Sequence, residues 1–277
     1  MKMDFIEIIK TVIIGIVQGV TEFLPVSSTG HMILVDELIH MNVTESFKEM
    51  FLVVIQFASI LAVVILYFKK LNPFSFGMTH AQRKDTFALW TKVAIACVPA
   101  AVIGLFFDDM LNELFYNYVT VAVTLILYGS IFVILETRNK NRTFEVTELS
   151  ELSYKSAVII GMFQLLALIP GTSRSGSTIL GAMLIGTSRV VSAEFSFFLA
   201  IPIMLGASAL KLVKFGFNFS GSEILILLTG MVVAFAVSVC AIMFLMGYIK
   251  KHDFKAFGYY RIVLGLIVLI YFGITSV

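Results

Sequence analysis

The chain has 277 residues, 59% of them hydrophobic and only 14% charged, where soluble domains carry about 25% charge. That composition excludes a soluble globular protein and describes an integral membrane protein. A net charge of +2, with the basic residues in short clusters between apolar runs, gives no footing for a nucleic-acid partner. Cys97 and Cys240 lie inside apolar runs and read as small buried thiols rather than as a disulfide or a metal pair.

In chain order, the N-terminus threads Asp4, Glu7 and Lys10 through apolar residues without a small-residue cleavage pattern, so it reads as retained rather than as a signal peptide. A span needs about 20 apolar residues, and the region near 5–41 is broken midway by Gln18–His31. It predicts two half-length helices that enter the membrane and turn back. Three full spans follow near 48–68, 87–107 and 118–136. A second region, 155–188, is broken at Pro170–Thr178, and spans near 193–213, 223–248 and 259–276 complete the chain. The expected fold is an all-α integral membrane protein of six transmembrane helices plus two re-entrant helical hairpins. Irregular backbone at membrane depth is tolerated only where it is packed in protein or lines a cavity, so both breaks should face inward.

Loop charges set the orientation. Lys69, Lys70, Arg83 and Lys84, then Arg138, Lys140 and Arg142, then Lys250, Lys251 and Lys255 mark cytoplasmic loops, and Asp108, Asp109 and Glu113 mark an outer connection. Lys211 and Lys214 fall at an outer end, where snorkelling accounts for them. Pro25 and Pro170, Ser28 and Ser173, Glu49 and Glu194, and Lys69 and Lys214 each match at an offset of 145. Together with two broken regions, each followed by three spans, this predicts an inverted-topology repeat, with 1–140 and 141–277 as halves of one membrane domain over 1–277. Such a repeat brings both breaks to one site.

The chemistry lies in those breaks. Gly171, Thr172, Ser173, Arg174, Ser175, Ser177 and Thr178 set a guanidinium fork and hydroxyls in a turn that leads into a helix, a combination suited to phosphate. Arg174 within the membrane requires an anionic partner, either substrate or Glu22 or Glu194. Glu22 is expensive to bury and lies four residues after Gln18, so a helix puts both on one face. The pair suits a divalent cation, a proton or a mutual hydrogen bond. Ser27, Ser28 and Thr29 offer hydroxyls beside His31, as an activated nucleophile and its base would. Glu49 and Glu194, near span starts, read as caps or interfacial charges.

The runs Glu22-Phe23-Leu24-Pro25-Val26-Ser27-Ser28-Thr29-Gly30-His31 and Pro170-Gly171-Thr172-Ser173-Arg174-Ser175-Gly176-Ser177-Thr178, with Gln18 and Glu22 as a Glu/Gln-x-x-x-Glu motif, resemble the undecaprenyl-pyrophosphate phosphatase family, also described as bacitracin-resistance proteins. The resemblance runs from Gly15 through the last span. It implies hydrolysis of a C55 polyprenyl diphosphate to the monophosphate and phosphate, which recycles the lipid carrier of cell-wall synthesis. It also implies an inverted repeat, a divalent cation (Mg²⁺ or Ca²⁺) and a bacterial plasma-membrane site facing the outer side. Gln18 stands where many members have Glu; a neutral amide is the poorer ligand, which leaves the charge-bearing work, metal binding included, to Glu22. On this reading Glu22, Ser28, His31 and Arg174 are catalytic. Gln18, Ser27, Thr29 and the second run bind substrate. Ser28, His31 or water remains open as the nucleophile, a homodimer is open as well, and the alternative is an inverted-repeat transporter or flippase for a polyprenyl phosphate or other anion.

Overall fold

Helices stop where the sequence sets Pro, Gly, Ser and Thr into an apolar run. The computed structural model describes residues 5–275; Asp4 and the side chains of Asp108 and Asp109 lie outside that description. Helices α1 (Phe5–Thr21) and α2 (Ser28–Leu38) meet at the first break. At the second, α7 (Tyr154–Gln164) passes through a 3₁₀ turn (Leu165–Leu168) before α8 (Arg174–Leu184). With 11 residues each, α2 and α8 measure about 16 Å, half the roughly 30 Å hydrocarbon layer.

Between and after these half-helices come α3 (Glu45–Leu66), the short α4 (Phe68–Leu71), α5 (His80–Phe115), α6 (Tyr118–Arg138), α9 (Arg189–Phe215), α10 (Gly221–Ile249) and α11 (Lys255–Thr275). All of these except α4 are long and apolar enough to cross a membrane, which makes six candidate spans. Among the described residues there is no strand, only a lone bridge between Val146 and Thr187. The chain is therefore an all-α, multi-pass membrane protein.

One connection differs from expectation. The acidic stretch around Asp108, Asp109 and Glu113 is the end of α5, and the link to α6 shrinks to Tyr116 and Asn117. No Gly or Pro interrupts the chain between Gly104 and Phe115, whereas the Asn117 side chain caps α6 by accepting from the Thr120 N–H at 2.9 Å. Cys240 also departs from its reading. It is exposed because the buried face of α10 runs through Ile226, Gly230, Ala234, Ser238 and Ala241, off which it falls.

The helices of the two halves interlock. α1 packs on α10 as α7 packs on α5; α10 packs on α3 as α5 packs on α9; α3 meets α9, and α6 meets α11. Small residues permit the closest crossings: a Cβ on Gly19 would stand 2.7 Å from the Ala234 carbonyl oxygen, and one on Gly161 would run into the backbone of Ala96. Two ion pairs flank the α3–α9 contact, Glu49 of α3 with Lys211 of α9 at 3.2 Å at one end and Glu194 of α9 with Lys70 of α4, just past α3, at 2.8 Å at the other. Lys211 thus finds a protein partner rather than only an interface.

Ser27 (φ 73°) and Ser173 (φ 72°) are the non-glycine residues in the left-handed region among those described. Each N-caps its half-helix by accepting from the N–H three residues on, Gly30 at 3.2 Å and Gly176 at 3.1 Å. The backbone thus pairs Ser27 with Ser173 at an offset of 146, one more than matching identical residues suggests. In this register Gln18 corresponds to Gln164, Gly15 to Gly161, and Ser28 to Arg174.

Candidate active site

The buried carboxylate of Glu22 joins the two breaks. It sits one residue past α1, its N–H still bonded to the Gln18 carbonyl at 3.1 Å, so the helical spacing persists and Gln18 Nε2 donates to Glu22 Oε2 at 2.8 Å. Ser28 Oγ, in the first turn of α2, donates to the same oxygen at 3.2 Å. Arg174 Nη2, in the first turn of α8, donates to Glu22 Oε1 at 3.2 Å. Arg174 Nη1 donates to the Ser196 carbonyl at 2.9 Å, and its Nε is buried without a partner. Glu194, the other expected counter-charge, is taken by Lys70.

Positive backbone ends converge on this cluster. α2 and α8 both begin here, and the N–H groups of Ser28, Thr29, Arg174 and Ser175 have no acceptor among the described residues. Two helix N-termini, two buried arginines and one carboxylate leave this cluster positive, a setting for a polyanion.

The second arginine is Arg261 of α11, fully buried, which reading the sequence passed over. Its Nη1 donates to the Pro25 carbonyl at 3.2 Å, and its Nη2 donates to the carbonyls of Gly171 at 3.0 Å and Thr172 at 2.8 Å. One guanidinium therefore ties the two breaks together, over the Tyr128 ring at 5.8 Å. Gly176 makes room for this, because a Cβ there would stand 2.8 Å from Arg261 Nη1, while Gly171 (φ +85°) lets the turn lie against α6, where a Cβ would meet Thr124 Oγ1 and the Val121 backbone.

His31 is oriented away from Ser28. Its Nδ1 lies 2.7 Å from the Ser27 carbonyl, which can only accept, so Nδ1 carries the hydrogen; in the neutral ring Nε2 then accepts from the Tyr260 hydroxyl at 2.6 Å. The two rings stack at 5.5 Å. Tyr260, like Arg261, comes from α11 and was not singled out in the sequence.

The remaining polar residues of the second run are turned inward. Ser175 Oγ bridges to the carbonyls of Glu22 at 3.3 Å and Leu24 at 3.2 Å, another tie between the breaks. Ser173 caps α8, and its hydroxyl lies 3.2 Å from that of Ser175. Ser177 Oγ donates to the Arg174 carbonyl at 3.1 Å. Thr178 Oγ1 lies 2.8 Å from that carbonyl and 2.7 Å from Ser196 Oγ. Thr172 is buried beneath the turn, and Thr29 lies half-buried in the first turn of α2.

Six candidate spans and two broken half-helix pairs, with a carboxylate, a hydroxyl and arginines gathered where the pairs meet, define a multi-pass membrane protein with a buried cluster of polar and charged groups. The family model described as bacitracin resistance protein BacA matches residues 11–267. The chain belongs to this family. It is 64% identical to an undecaprenyl-diphosphatase of Acetivibrio thermocellus over 96% of this chain and 98% of that protein. Two others so named, from Desulfitobacterium hafniense and Enterococcus faecalis, are 59% identical over 99% of each chain and 60% identical over 98% of this chain and 99% of the other.

Proposed function

We infer that this protein is an undecaprenyl-diphosphatase, a membrane hydrolase that converts undecaprenyl diphosphate to undecaprenyl phosphate and phosphate. One observation carries the mechanism: Glu22 holds the Ser28 hydroxyl with one carboxylate oxygen and Arg174 with the other. Relatives so named match over nearly the whole length of the chain, which favours hydrolysis over transport.

The polyprenyl chain stays in lipid while the diphosphate enters the positive chamber. Ser28 Oγ attacks the terminal phosphorus as its proton passes to Glu22; the bond from that phosphorus to the bridging oxygen breaks, and undecaprenyl phosphate leaves. Water then hydrolyses the phosphoserine, with His31 as the nearby base once it is released from Tyr260. Arg174 and the helix N-termini hold the charge on the non-bridging oxygens throughout. Gln18 keeps Glu22 aimed, and Arg261 fixes the spacing of the breaks.

Among the described residues no three His, Cys, Asp or Glu gather, so a hard cation would have Glu22 as its one carboxylate, beside the oxygens of Gln18 and Ser28 once these turn from their hydrogen bonds to Glu22. Mg²⁺ or Ca²⁺ would be held by Glu22 with substrate oxygens completing its shell, and would supply neutralisation of the diphosphate charge. The exchange of helix pairings between the halves, the paired left-handed serines and the two α3–α9 ion pairs support an inverted repeat with two re-entrant hairpins. Loop charges support a site that opens outward, and the bacterial relatives support a bacterial plasma-membrane location.

Phosphate release by purified protein from a polyprenyl diphosphate, with Mg²⁺ or with EDTA, tests this reading. Arg174→Ala and Glu22→Ala should each lose at least about 10³-fold in kcat while remaining folded. Wild-type protein that binds the lipid but releases no phosphate would mean a transporter.

A further inference from the structure

Lys92 of α5 is a charge within a membrane-spanning helix that nothing above uses. It is 7% exposed, and among the described residues it makes no hydrogen bond or ion pair; its ammonium stands 5.6 Å from the centre of the Tyr154 ring. Asp85, seven residues earlier on the same helix, lies in its field but forms no ion pair with it. A lysine held in an apolar helix without a carboxylate needs an anion from elsewhere. Tyr154 is the first residue of α7, so the ammonium lies beside the N-terminus of that helix. Ser153 caps α7 by accepting from the Ser156 N–H at 3.0 Å, but the N–H groups of Tyr154 and Lys155 have no acceptor among the described residues. The carboxylate of Glu151 is spent within its own turn, where it accepts from the N–H groups of Thr147 at 2.7 Å and Glu148 at 3.0 Å. Lys92, Lys155 and an unsatisfied helix N-terminus therefore gather at one end of the α5–α7 contact, at positive potential.

The depth of this point selects the ligand. Loop charges place the start of α7 at the cytoplasmic end. Trp90, two residues before Lys92, donates through its indole N–H to the Leu71 carbonyl at 2.8 Å, and with Tyr154 it marks the level of the membrane–water boundary. From there α7 runs 11 residues, about 16 Å, before the second break, so Lys92 and Arg174 serve different ligands. Toward the bilayer centre, Ile95 and Val98 of α5 and Val158 and Met162 of α7 are exposed beside the same helix contact. An anion site at headgroup level with apolar ridges beneath it matches the two parts of a phospholipid, phosphate and acyl chain.

We propose that Lys92, Lys155 and the N-terminus of α7 bind the phosphate of an anionic glycerophospholipid of the cytoplasmic leaflet, with an acyl chain lying along the α5–α7 contact. Lys92 supplies the sheltered contact, and the exposed Lys155 adds an attraction that salt weakens.

Native mass spectrometry of detergent-solubilised protein titrated with phosphatidylglycerol tests this, with diacylglycerol of the same chains and inorganic phosphate as comparison ligands. Wild-type protein should retain phosphatidylglycerol and lose diacylglycerol. Lys92→Met, which keeps the buried stem, should weaken phosphatidylglycerol binding about fivefold or more, and Lys155→Gln should weaken it less. Phosphate release in detergent should stay at the wild-type rate in both. Lys250→Gln, which removes a cytoplasmic charge from the α10–α11 turn, should bind as the wild type does; a loss equal to that of Lys92→Met means diffuse attraction and overturns the proposal. Wild-type affinity in Lys92→Met overturns it as well, because the lysine then only reaches for water. Equal retention of the two lipids would reduce the site to an apolar groove, and displacement of the lipid by inorganic phosphate at matched concentration would make the ligand a soluble anion; either result overturns the lipid assignment. These two comparisons use wild-type protein alone, so they decide the matter even if Lys92→Met fails to fold.

Discussion

The two breaks share a backbone and differ in what it carries. Each has a left-handed serine capping an 11-residue half-helix, a glycine three residues on, and a glutamine nine residues before. Yet the residue after the serine is Ser28 in the first break and Arg174 in the second, and the position four after the glutamine is Glu22 in one and Leu168 in the other. In the proposed mechanism the first half thus holds the groups that exchange a proton, the second the groups that hold an anion. The same local backbone is used twice and furnished with different side chains. Neither half makes a site alone, since the Glu22–Arg174 contact bridges them.

The sharpest way to break this complementarity is at Arg261, which touches both breaks and belongs to neither. Arg261→Lys keeps the charge but has no planar fork to reach Pro25, Gly171 and Thr172 together. We expect kcat to fall by about 100-fold, the effect of moving catalytic groups by about an ångström. Turnover restored by lysine would show that charge alone matters there and that the breaks hold their spacing without it.

A smaller effect separates the serines by role. Ser27→Ala and Ser173→Ala each lose a cap and keep a strained backbone, at a cost of about 1 kcal/mol in thermal unfolding. If the halves are equivalent scaffolds, the two losses should agree to within about 0.5 kcal/mol, the scatter of independent sites. A loss confined to one would show that the matching φ values have different causes.

Much of this was legible in the sequence, for reasons that also mark its limit. Gln18 and Glu22 share a helix face, so spacing alone placed one by the other, and Pro, Gly and Ser announced the breaks. Arg174 paired with Glu22, one of its two expected counter-charges. Tyr260 and Arg261 escaped notice because their partners lie 229 and 236 residues away, a proximity created only by α11 packing along the breaks. One signal was available: an arginine in the apolar run near 259–276 breaks the same rule that drew attention to Arg174. Matching identical letters gives an offset of 145, whereas the backbone conformation shared by Ser27 and Ser173 gives 146, because conformation is not written in residue identity.

The smallest expected effects lie at the two ends of the α3–α9 contact, where the halves look most alike. Glu194 is mostly buried and takes two 2.8 Å contacts from Lys70, while Glu49 is exposed and takes one of 3.2 Å from Lys211. Water screens the second pair and competes for it, so Glu49→Gln should change stability by less than about 0.5 kcal/mol, and less still at high salt. Glu194→Gln removes the acceptor of a Lys70 whose side chain is 53% exposed, so water screens this pair in part, and the loss should be about 1 kcal/mol, larger than that of Glu49→Gln and reduced by salt. Thermal unfolding of both variants in low and high salt measures the difference. Equal losses would mean that the two ends are energetically symmetric, and that the repeat carries matched stability as well as matched shape.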